Sequence, residues 1–250
     1  MSWQTHPIVI WSRNVGRRTG INPWLARLRQ PRGYEARFER AMFAALRPGD
    51  CVWDVGANVG HYTAAFALRV GSNGHVLAFE PSPVNFERLT AHLEGFDNVT
   101  ALRLALGSTT GELPFEQGAD ELGATSHICE APAPGGAASA PGGAAPGAAG
   151  SPTFLVPVER GSDLVASGRA RMPTFIKIDT EGHELEVLHG LGELLDAPEL
   201  RVLCIEMHFG LLAKSNREHA PRFVEKALTA ARFAVSWPDA SHLLGERGRS

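Results

Sequence analysis

The sequence predicts an α/β protein built on a doubly wound, mostly parallel sheet with helices on both faces. Apolar strand-like runs alternate with helical patterns along most of the chain, which is the order that parallel strands with crossover helices require. A turn bounded by two glycines follows the first strand, where such sheets bind ligands. A chain of 250 residues with 44% apolar residues supports one domain with a sizeable core, whereas two full domains would be tight.

The elements of the first half follow one another in a regular order. Phe38, Met42 and Leu46 have helical spacing in a segment that starts at Tyr34, and R-P-G-D then ends that helix. Five further elements are predicted: a strand at 51–55, a helix at 60–70, a strand at 75–80, a helix at 81–93 and a strand at 99–106. This rhythm predicts neighbouring parallel strands.

The middle of the chain is predicted to hold a hairpin and an insertion. Two short strands at 112–115 and 154–158 are expected to pair. Between them, residues 131–152 contain only alanine, glycine, proline and serine, so they have no apolar face to bury and are predicted to be disordered. Residues 1–30 are expected to form a partly ordered N-terminal extension, and residues 31–250 form the single domain that carries the insertion.

The second half returns to the same alternation. The pattern predicts a strand at 174–179, a helix at 182–195, a strand at 201–208 and a helix at 219–231, and the chain's end is expected to add one or two short strands.

Composition excludes several classes of protein. The net charge of −3 provides no basic field for nucleic acid or anionic lipid, so neither is an expected partner. The three cysteines, Cys51, Cys129 and Cys204, are widely spaced, which speaks against a disulfide framework or a four-cysteine zinc site. No apolar run approaches the roughly 18 residues of a membrane-spanning helix, and no signal peptide is recognisable. We therefore expect a cytoplasmic protein, whose oligomeric state the sequence does not indicate.

The residues V-W-D-V-G-A-N-V-G-H-Y-T at 52–63 are typical of a strand followed by a helix, with a nucleotide bound at the turn between the two. Glycines allow close approach of the backbone, and the following helix offers free N–H groups to an anion. The spacing lacks the middle glycine that admits a pyrophosphate and the lysine of a phosphate-binding loop. A ligand without a pyrophosphate fits better, and S-adenosylmethionine is such a ligand. The predicted cofactor residues here are Asp54, Gly56, Ala57, Asn58 and Gly60.

Glu80 is the second part of the predicted cofactor site. It ends the next strand, where an acidic residue can accept hydrogen bonds from the two ribose hydroxyls. Pro81 and Ser82 follow it and are included in the site. Asp54 could instead be a strand-terminal turn residue, and Glu80 a charge favoured by a helix N-terminus. The joint occurrence of both residues in register favours cofactor binding.

Four blocks of the sequence resemble a known family. In order, D-V-G-A-N-V-G-H-Y-T, F-E-P-S-P-V-N-F-E-R-L, I-K-I-D-T-E-G-H-E-L-E-V-L-H-G and I-E-M-H are similar to motifs of the FkbM family of S-adenosylmethionine-dependent methyltransferases, over about residues 33 to 210. The resemblance implies the class I methyltransferase sheet, which is Rossmann-like and has seven strands, one of them antiparallel. It also implies O-methylation of a hydroxyl on a small molecule, such as a sugar or a polyketide-like natural product. The segment E-R-G-S-D-L departs from the family, on the substrate side.

Candidate catalytic residues cluster at two predicted strand ends. A hydroxyl is a poor nucleophile, so a general base or a metal is expected beside it. Lys177 and Asp179 share one face of a strand, and Glu181 lies at the turn after it, where a catalytic and a helix-capping role are equally favoured. His208 suits a base near neutral pH, Asp179 is expected to orient the acceptor or help take its proton, and Lys177 to pair with a carboxylate.

A divalent metal is the second interpretation of the same strand ends. Glu206 and His208 share one face of their strand, and with Asp179 they could form an oxygen-rich site for an ion that acidifies the hydroxyl. It ranks second because no spacing of ligands in the sequence demands a metal. His183 and His189 lie on the predicted helix and are expected to be surface or packing residues.

Two other functions compete with methyl transfer. A nicotinamide-dependent oxidoreductase could use a similar sheet, although the missing glycine speaks against it. A non-catalytic cofactor-binding or scaffold module is the third hypothesis, in which the second-half cluster is structural. The three acidic strand-end positions favour the enzyme over that module.

Overall fold

The structure is a computed structural model that describes residues 34–116, 127–128 and 153–248. The predicted N-terminal extension at 1–30, the predicted insertion at 131–152 and Cys129 lie outside these residues.

The main sheet of the described residues has seven strands: β1 (Cys51–Val55), β2 (His75–Phe79), β3 (Val99–Leu102), β8 (Phe175–Ile178), β9 (Val202–Glu206), β10 (Ala234–Ser236) and β11 (His242–Glu246). Their order in the sheet is β10-β11-β9-β8-β1-β2-β3. Strand β1 pairs in parallel with β2 on one side and β8 on the other, and β11 is antiparallel to both of its neighbours. The strand order reverses at β1, so the doubly wound fold is confirmed and the ligand crevice is expected at the carboxyl ends of β1, β2 and β8.

Helices cover both faces of this sheet. They are α1 (Tyr34–Ala45), α2 (His61–Val70), α3 (Pro83–His92), α4 (Gly161–Ala166), α5 (Glu184–Leu191), α6 (Phe209–Lys214) and α7 (Ala220–Ala230), and a 3₁₀ turn (Gly192–Leu195) extends α5. Side chains alternate between the faces of a strand. Val52 of β1 therefore joins the core beneath α1 and α2, and its neighbour Trp53 joins the core beneath α5 and α7.

A second, smaller sheet covers one end of the crevice. It comprises β4 (Ala105–Leu106), β5 (Gly111–Glu116), β6 (His127–Ile128) and β7 (Thr153–Glu159), in the order β4-β7-β5-β6. The predicted pairing of 112–115 with 154–158 is observed as the antiparallel β5–β7 ladder. Strand β6 adds to the other edge of β5, so the chain does not run directly from β5 to β7.

The predicted strand at 99–106 is two strands in different sheets. Strand β3 ends at Leu102, and the backbone N–H of Leu104 donates to the Leu102 carbonyl across a tight turn. Strand β4 then pairs in parallel with β7. A continuous apolar run shows burial but does not reveal a bend within it, which is why the sequence suggested one strand.

The other boundaries differ by a few residues. Strand β9 ends at Glu206, so His208 lies in the loop after the strand that was expected to contain it. The short helices α4 and α6 were not predicted, and the chain's end contains two strands. None of the helices in the described ranges is long and apolar enough to cross a membrane.

Candidate active site

The turn after β1 is held by the ends of its two neighbouring strands. The backbone N–H groups of Gly56 and Ala57 both donate to the Phe79 carbonyl at 3.0 Å. Gly56 has a φ of +78°, and a Cβ there would lie 1.8 Å from the carbonyl oxygen of Asp179. Only glycine satisfies both conditions, so this residue lets the cofactor turn pack directly on the turn after β8.

Glu80 lies at the end of β2 and supports the turn from the other side. Its Oε2 accepts a hydrogen bond from the Asn58 backbone at 2.8 Å, and its Oε1 accepts one from the Ser82 backbone at 2.9 Å. Burial raises the pKa of Glu80 to about 7, although these two backbone donors act in the opposite direction. Each carboxylate oxygen has a further acceptor site, so Glu80 can still bind a donor from the crevice.

A cleft of about 620 Å³, counted with its opening to solvent, lies beside this turn. Its polar wall includes Gly56, Asn58, Glu80, Asn85, Asp179, Thr180, Glu181 and His183, and its apolar wall includes Phe79, Pro81, Leu106, Phe115 and Ile128. Within the described residues, the buried polar atoms on this wall that lack a hydrogen-bond partner include Oδ1 of Asn58, Oδ1 of Asn85 and Oγ1 of Thr180.

The predicted cofactor residues divide into two groups. Gly56, Asn58, Glu80 and Pro81 line the cleft. The other four, Asp54, Ala57, Gly60 and Ser82, are not among the lining residues and support it from below. Asn85 was not predicted; it lies in the first turn of α3, and its place on the cleft wall depends on how that helix is set against the sheet.

Asp54 faces the interior and forms part of a buried ion network. Its side chain is fully buried, accepts a hydrogen bond from Thr63 Oγ1 at 2.6 Å and lies 3.3 Å from Lys177 Nζ. Lys177 Nζ also lies 3.2 Å from Asp179 Oδ2 and donates to the Gly56 carbonyl. Burial lowers the pKa of Lys177, but the two carboxylates outweigh it and hold the pKa above its usual value. The predicted pairing of Lys177 with a carboxylate is therefore present twice.

His208 lies at the centre of the second predicted cluster. Its Nδ1 is 2.7 Å from Glu184 Oε1, and its Nε2 faces three carboxylates. The distances from Nε2 are 3.3 Å to Glu181, 3.6 Å to Asp179 and 3.9 Å to Glu206. The fold thus brings together Asp179, Glu181, Glu206 and His208, four of the residues predicted at two separate strand ends. The Glu181 side chain contacts His208 and lines the cleft. The N-cap position of α5 is His183, so Glu181 is not the helix cap that was one of its two expected roles.

The charge state of His208 differs from the sequence expectation. Burial lowers the pKa of this imidazole, but hydrogen bonds to Glu181 and Glu184 and the charges of Glu184 and Asp179 raise it well above its ordinary value. The same surroundings act on Asp179: burial raises its pKa, and Lys177 and His208 reverse that effect and lower it. The structure therefore favours a protonated His208 beside an ionised Asp179, not the neutral base at pH 7 that an unperturbed histidine would provide.

Sequence reasoning missed three members of this cluster, Glu184, Asp239 and His242. The antiparallel register places His242 opposite Glu206, with its Nε2 3.4 Å from that carboxylate and its Nδ1 2.8 Å from Asp239. Burial lowers the pKa of His242, and the two carboxylates outweigh it and raise it to about 9. Glu184 belongs to a motif that the sequence contains, but the alternation of polar and apolar residues alone gave no sign that its side chain turns inward.

The two helix histidines have different positions. His189 is exposed and packs its ring against Phe223, as expected of a surface or packing residue. His183 is buried and lines the cleft, so of its two expected positions the packing position is the one observed. It precedes α5 by one residue, and the turn there directs its side chain toward the cleft.

This sheet order, with its single antiparallel strand and its cleft at the switch point, defines a Rossmann-like fold of the class I methyltransferase type. A family model described as "Methyltransferase FkbM domain" matches residues 54–233, and the chain belongs to this family of methyltransferases. The family membership confirms the predicted enzyme class over the nicotinamide oxidoreductase.

Known relatives extend this comparison. Hexuronic acid methyltransferase AglP of Haloferax volcanii is 31% identical over 210 residues, which are 84% of this chain and 73% of the relative. A protein-L-isoaspartate O-methyltransferase of Ignicoccus hospitalis is 43% identical over 61 residues, 24% of this chain and 29% of the relative. Two solved structures are similar in outline. Fibrillarin of Aeropyrum pernix, with bound S-adenosyl-L-methionine, has a TM-score of 0.46 at 10% identity. The match covers 84% of this chain and 74% of the fibrillarin chain. A SAM-dependent methyltransferase of Aquifex aeolicus has a TM-score of 0.44 at 15% identity, and covers 90% and 97%.

Proposed function

We propose that this enzyme transfers a methyl group from S-adenosylmethionine to a hydroxyl of a sugar or a similar polyhydroxylated small molecule. The observation that carries the proposal is the Glu80 carboxylate, which two backbone N–H groups fix on the wall of the cleft. The relative AglP, whose name specifies a hexuronic acid, supports a sugar acceptor.

The residues of the cleft fit the chemistry of this cofactor. S-adenosylmethionine carries an ammonium, two ribose hydroxyls and an exocyclic amine, all of which donate hydrogen bonds. The cleft presents the Glu80 carboxylate and the unpartnered Oδ1 atoms of Asn58 and Asn85 as acceptors. Because buried acceptors without donors are costly, a ligand rich in donors is expected there. The apolar wall from the second sheet suits the adenine ring.

The acceptor hydroxyl is assigned to the end of the cleft where Asp179 and Glu181 meet. When bound, the cofactor supplies an electrophilic methyl group on a good leaving group, so the protein must mainly orient the acceptor and receive its proton. Asp179 lines the cleft and is ionised, so its carboxylate accepts a hydrogen bond from the hydroxyl. The ion pair with Lys177 fixes the orientation of the Asp179 carboxylate.

A divalent cation is a second part of the proposal. One ligand atom each from Asp179, Glu206 and His208 lies within 4.8 Å of the other two. Three carboxylates around one imidazole nitrogen concentrate negative charge, which a proton on His208 or a cation can balance. Oxygen and imidazole ligands suit Mg²⁺ or Mn²⁺, and the ion would lower the pKa of a bound hydroxyl.

Calorimetric titration with S-adenosylhomocysteine tests the cofactor assignment. We expect micromolar binding by the wild-type protein and at least about tenfold weaker binding by Glu80→Ala, since a buried hydrogen bond to a carboxylate contributes about 1.5–3 kcal/mol. Glu94→Ala, at an exposed position, is the matched control and should bind normally. Equal affinity of the Glu80 variant would remove this residue from the ribose site.

The acceptor side requires separate measurements. A panel of hexuronic acids and neutral sugars, assayed with EDTA and then with added magnesium, identifies the acceptor class and the metal dependence. Asp179→Ala should retain its affinity for S-adenosylhomocysteine and lose turnover. A fully active variant would exclude Asp179 from the mechanism. Glu206→Gln should weaken Mn²⁺ binding measured by electron paramagnetic resonance; if the wild-type protein binds no Mn²⁺, the metal is rejected.

A further inference from the structure

The His208 ring has two nitrogens with different surroundings. Its Nε2 faces Asp179 and Glu181, the carboxylates at the acceptor end of the cleft. Its Nδ1 points the opposite way, 2.7 Å from Oε1 of Glu184. His208 precedes the short helix α6 in a loop, so the backbone alone does not fix the orientation of its ring.

Glu184 is itself held in one position. It is the first residue of α5 and is fully buried, although a buried carboxylate is costly unless it is paired. Its Oε1 accepts hydrogen bonds from both the Gly182 backbone and His208, and Gly182 has a φ of +98° in the turn before the helix. The tight turn therefore fixes Oε1, and Oε1 fixes the imidazole.

The pair determines where a neutral His208 carries its proton. Both ring nitrogens lie near carboxylates, and a carboxylate only accepts hydrogen bonds. The Nδ1–Glu184 distance of 2.7 Å is a hydrogen bond, whereas the shortest contact of Nε2 is 3.3 Å to Glu181, so the single hydrogen of a neutral ring is held on Nδ1. With Nδ1 protonated, the lone pair of the neutral ring is on Nε2, which faces the cleft. A carboxylate or carbonyl partner of this kind is the usual device for fixing a histidine tautomer.

We propose that Glu184 is a positioning residue that holds His208 in the Nδ1–H tautomer, with Nε2 directed at the acceptor end of the cleft. This inference rests on the proposed function, because the orientation matters for catalysis only if methyl transfer occurs there. It is independent of whether Nε2 receives a proton or binds a cation, since both require the same lone pair. Glu184 acts through His208 and does not itself contact the acceptor.

A purely structural role for Glu184 is the competing explanation. An acidic residue in the first turn of a helix is stabilised by the helix dipole, and the Gly182 bond satisfies a backbone donor there. That role predicts a loss of stability on substitution but no change in the histidine tautomer. Glu186 is the matched control, since it lies in the same first turn and its carboxylate contacts His183 and Arg217.

Nuclear magnetic resonance of ¹⁵N-histidine-labelled protein reads the tautomer directly. Spectra are recorded on the cofactor-free protein, in buffer alkaline enough for the ring to be neutral, and His208→Gln assigns the signal. We expect the Nδ1–H form in the wild type and in Glu186→Ala, and the Nε2–H form in Glu184→Ala. The wild-type protein in the Nε2–H form would overturn the proposal, even if the alanine variant failed to fold.

Glu184→Gln provides a conservative rescue. The Gly182 N–H selects the carbonyl oxygen of the glutamine for the Oε1 position, where it can also accept from Nδ1–H. We expect this variant to keep the tautomer and most of its turnover. In Glu184→Ala, kcat should fall about 10- to 100-fold, while the KM for the acceptor and the affinity for S-adenosylhomocysteine change less than about twofold. Equal losses in the glutamine and alanine variants, or unchanged kcat in the alanine variant, would contradict the positioning role.

The two proposals fail in distinguishable ways. The tautomer is measured without cofactor or acceptor, so absence of cofactor binding by the wild type would remove the proposed function while leaving the tautomer result intact. Cofactor binding and turnover with an Nε2–H wild-type histidine would remove only the inference on Glu184.

Discussion

Glu80 provides a prediction whose size follows from its surroundings. Only 5% of the residue is exposed, and burial raises its pKa from 4.5 to about 7. Below about pH 4.5 the carboxyl is protonated in both the folded and the unfolded chain. Between these values the folded state binds more protons than the unfolded state, so the free energy of unfolding falls as the pH rises. Above about pH 7 the loss is complete.

The free energy of unfolding falls by about 3 kcal/mol in total, because a pKa difference of one corresponds to about 1.4 kcal/mol. Glu80→Gln removes the titration and keeps the shape of the side chain. The amide has one acceptor oxygen where the carboxylate has two, so one of the backbone donors of Asn58 and Ser82 loses its partner. That loss does not depend on pH and therefore does not obscure the slope.

Urea unfolding of the cofactor-free proteins between pH 4.5 and 8 measures this difference. The stability of Glu80→Gln should rise relative to wild type by about 3 kcal/mol across that range, and the other ionisable groups cancel in the comparison. Glu94→Gln, at an exposed position, controls for the substitution itself. If the difference in unfolding free energy between Glu80→Gln and wild type stays constant within about 1 kcal/mol over this pH range, ionisation of Glu80 does not destabilise the folded state and the reasoning is refuted.

Three further predictions concern the turn and the ion network. Gly56→Ala should lower the free energy of unfolding by about 3 kcal/mol or more and abolish binding of S-adenosylhomocysteine, since its Cβ would meet the Asp179 carbonyl. The control is Gly71→Ala, which is also at positive φ but in open space. Equal effects of the two substitutions would exclude the contact as the cause. Lys177→Met should cost about 3–5 kcal/mol in urea unfolding, because it leaves the buried Asp54 and the half-buried Asp179 without their cation. A loss below 1 kcal/mol, about the size of an exposed ion pair, would contradict this. Asp179→Asn should bind S-adenosylhomocysteine normally but turn over at least about 100-fold more slowly, as measured by single-turnover methylation.

Much of the fold could be predicted because each parallel strand is short, apolar and followed by a helix. Strand β1 has the predicted bounds, β2 is one residue shorter at its carboxyl end, and β8 is one residue shorter at each end. The errors occur where the chain bends within an apolar run, as at Leu102, or where a helix is too short to show a period, as in α4. Tertiary contacts decide both features, and periodicity does not report them.

The candidate site was predictable only where strand ends supply it. Parallel strands bring their carboxyl ends to one edge, which is why Glu80, Asp179 and Glu206 could be expected near the crevice. His242 arrives from the antiparallel strand, whose register depends on the length of the preceding turn. Glu184 reaches His208 because the turn before α5 has two successive residues at positive φ, Glu181 and Gly182, and no pattern of side chains specifies that geometry.

Lys177 links the two halves of the proposed reaction. Its ammonium binds the Gly56 carbonyl in the cofactor turn, the buried Asp54 beneath it and Asp179 at the acceptor end. The Asp179 carbonyl oxygen also packs where a Gly56 side chain would be. A shift of the cofactor turn therefore moves Asp179, and with it the carboxylate that faces His208. In-line methyl transfer depends on the distance between the methyl donor and the acceptor hydroxyl. The contacts of Lys177 and Gly56 with Asp179 therefore fix the position of the cofactor turn relative to the acceptor end of the cleft.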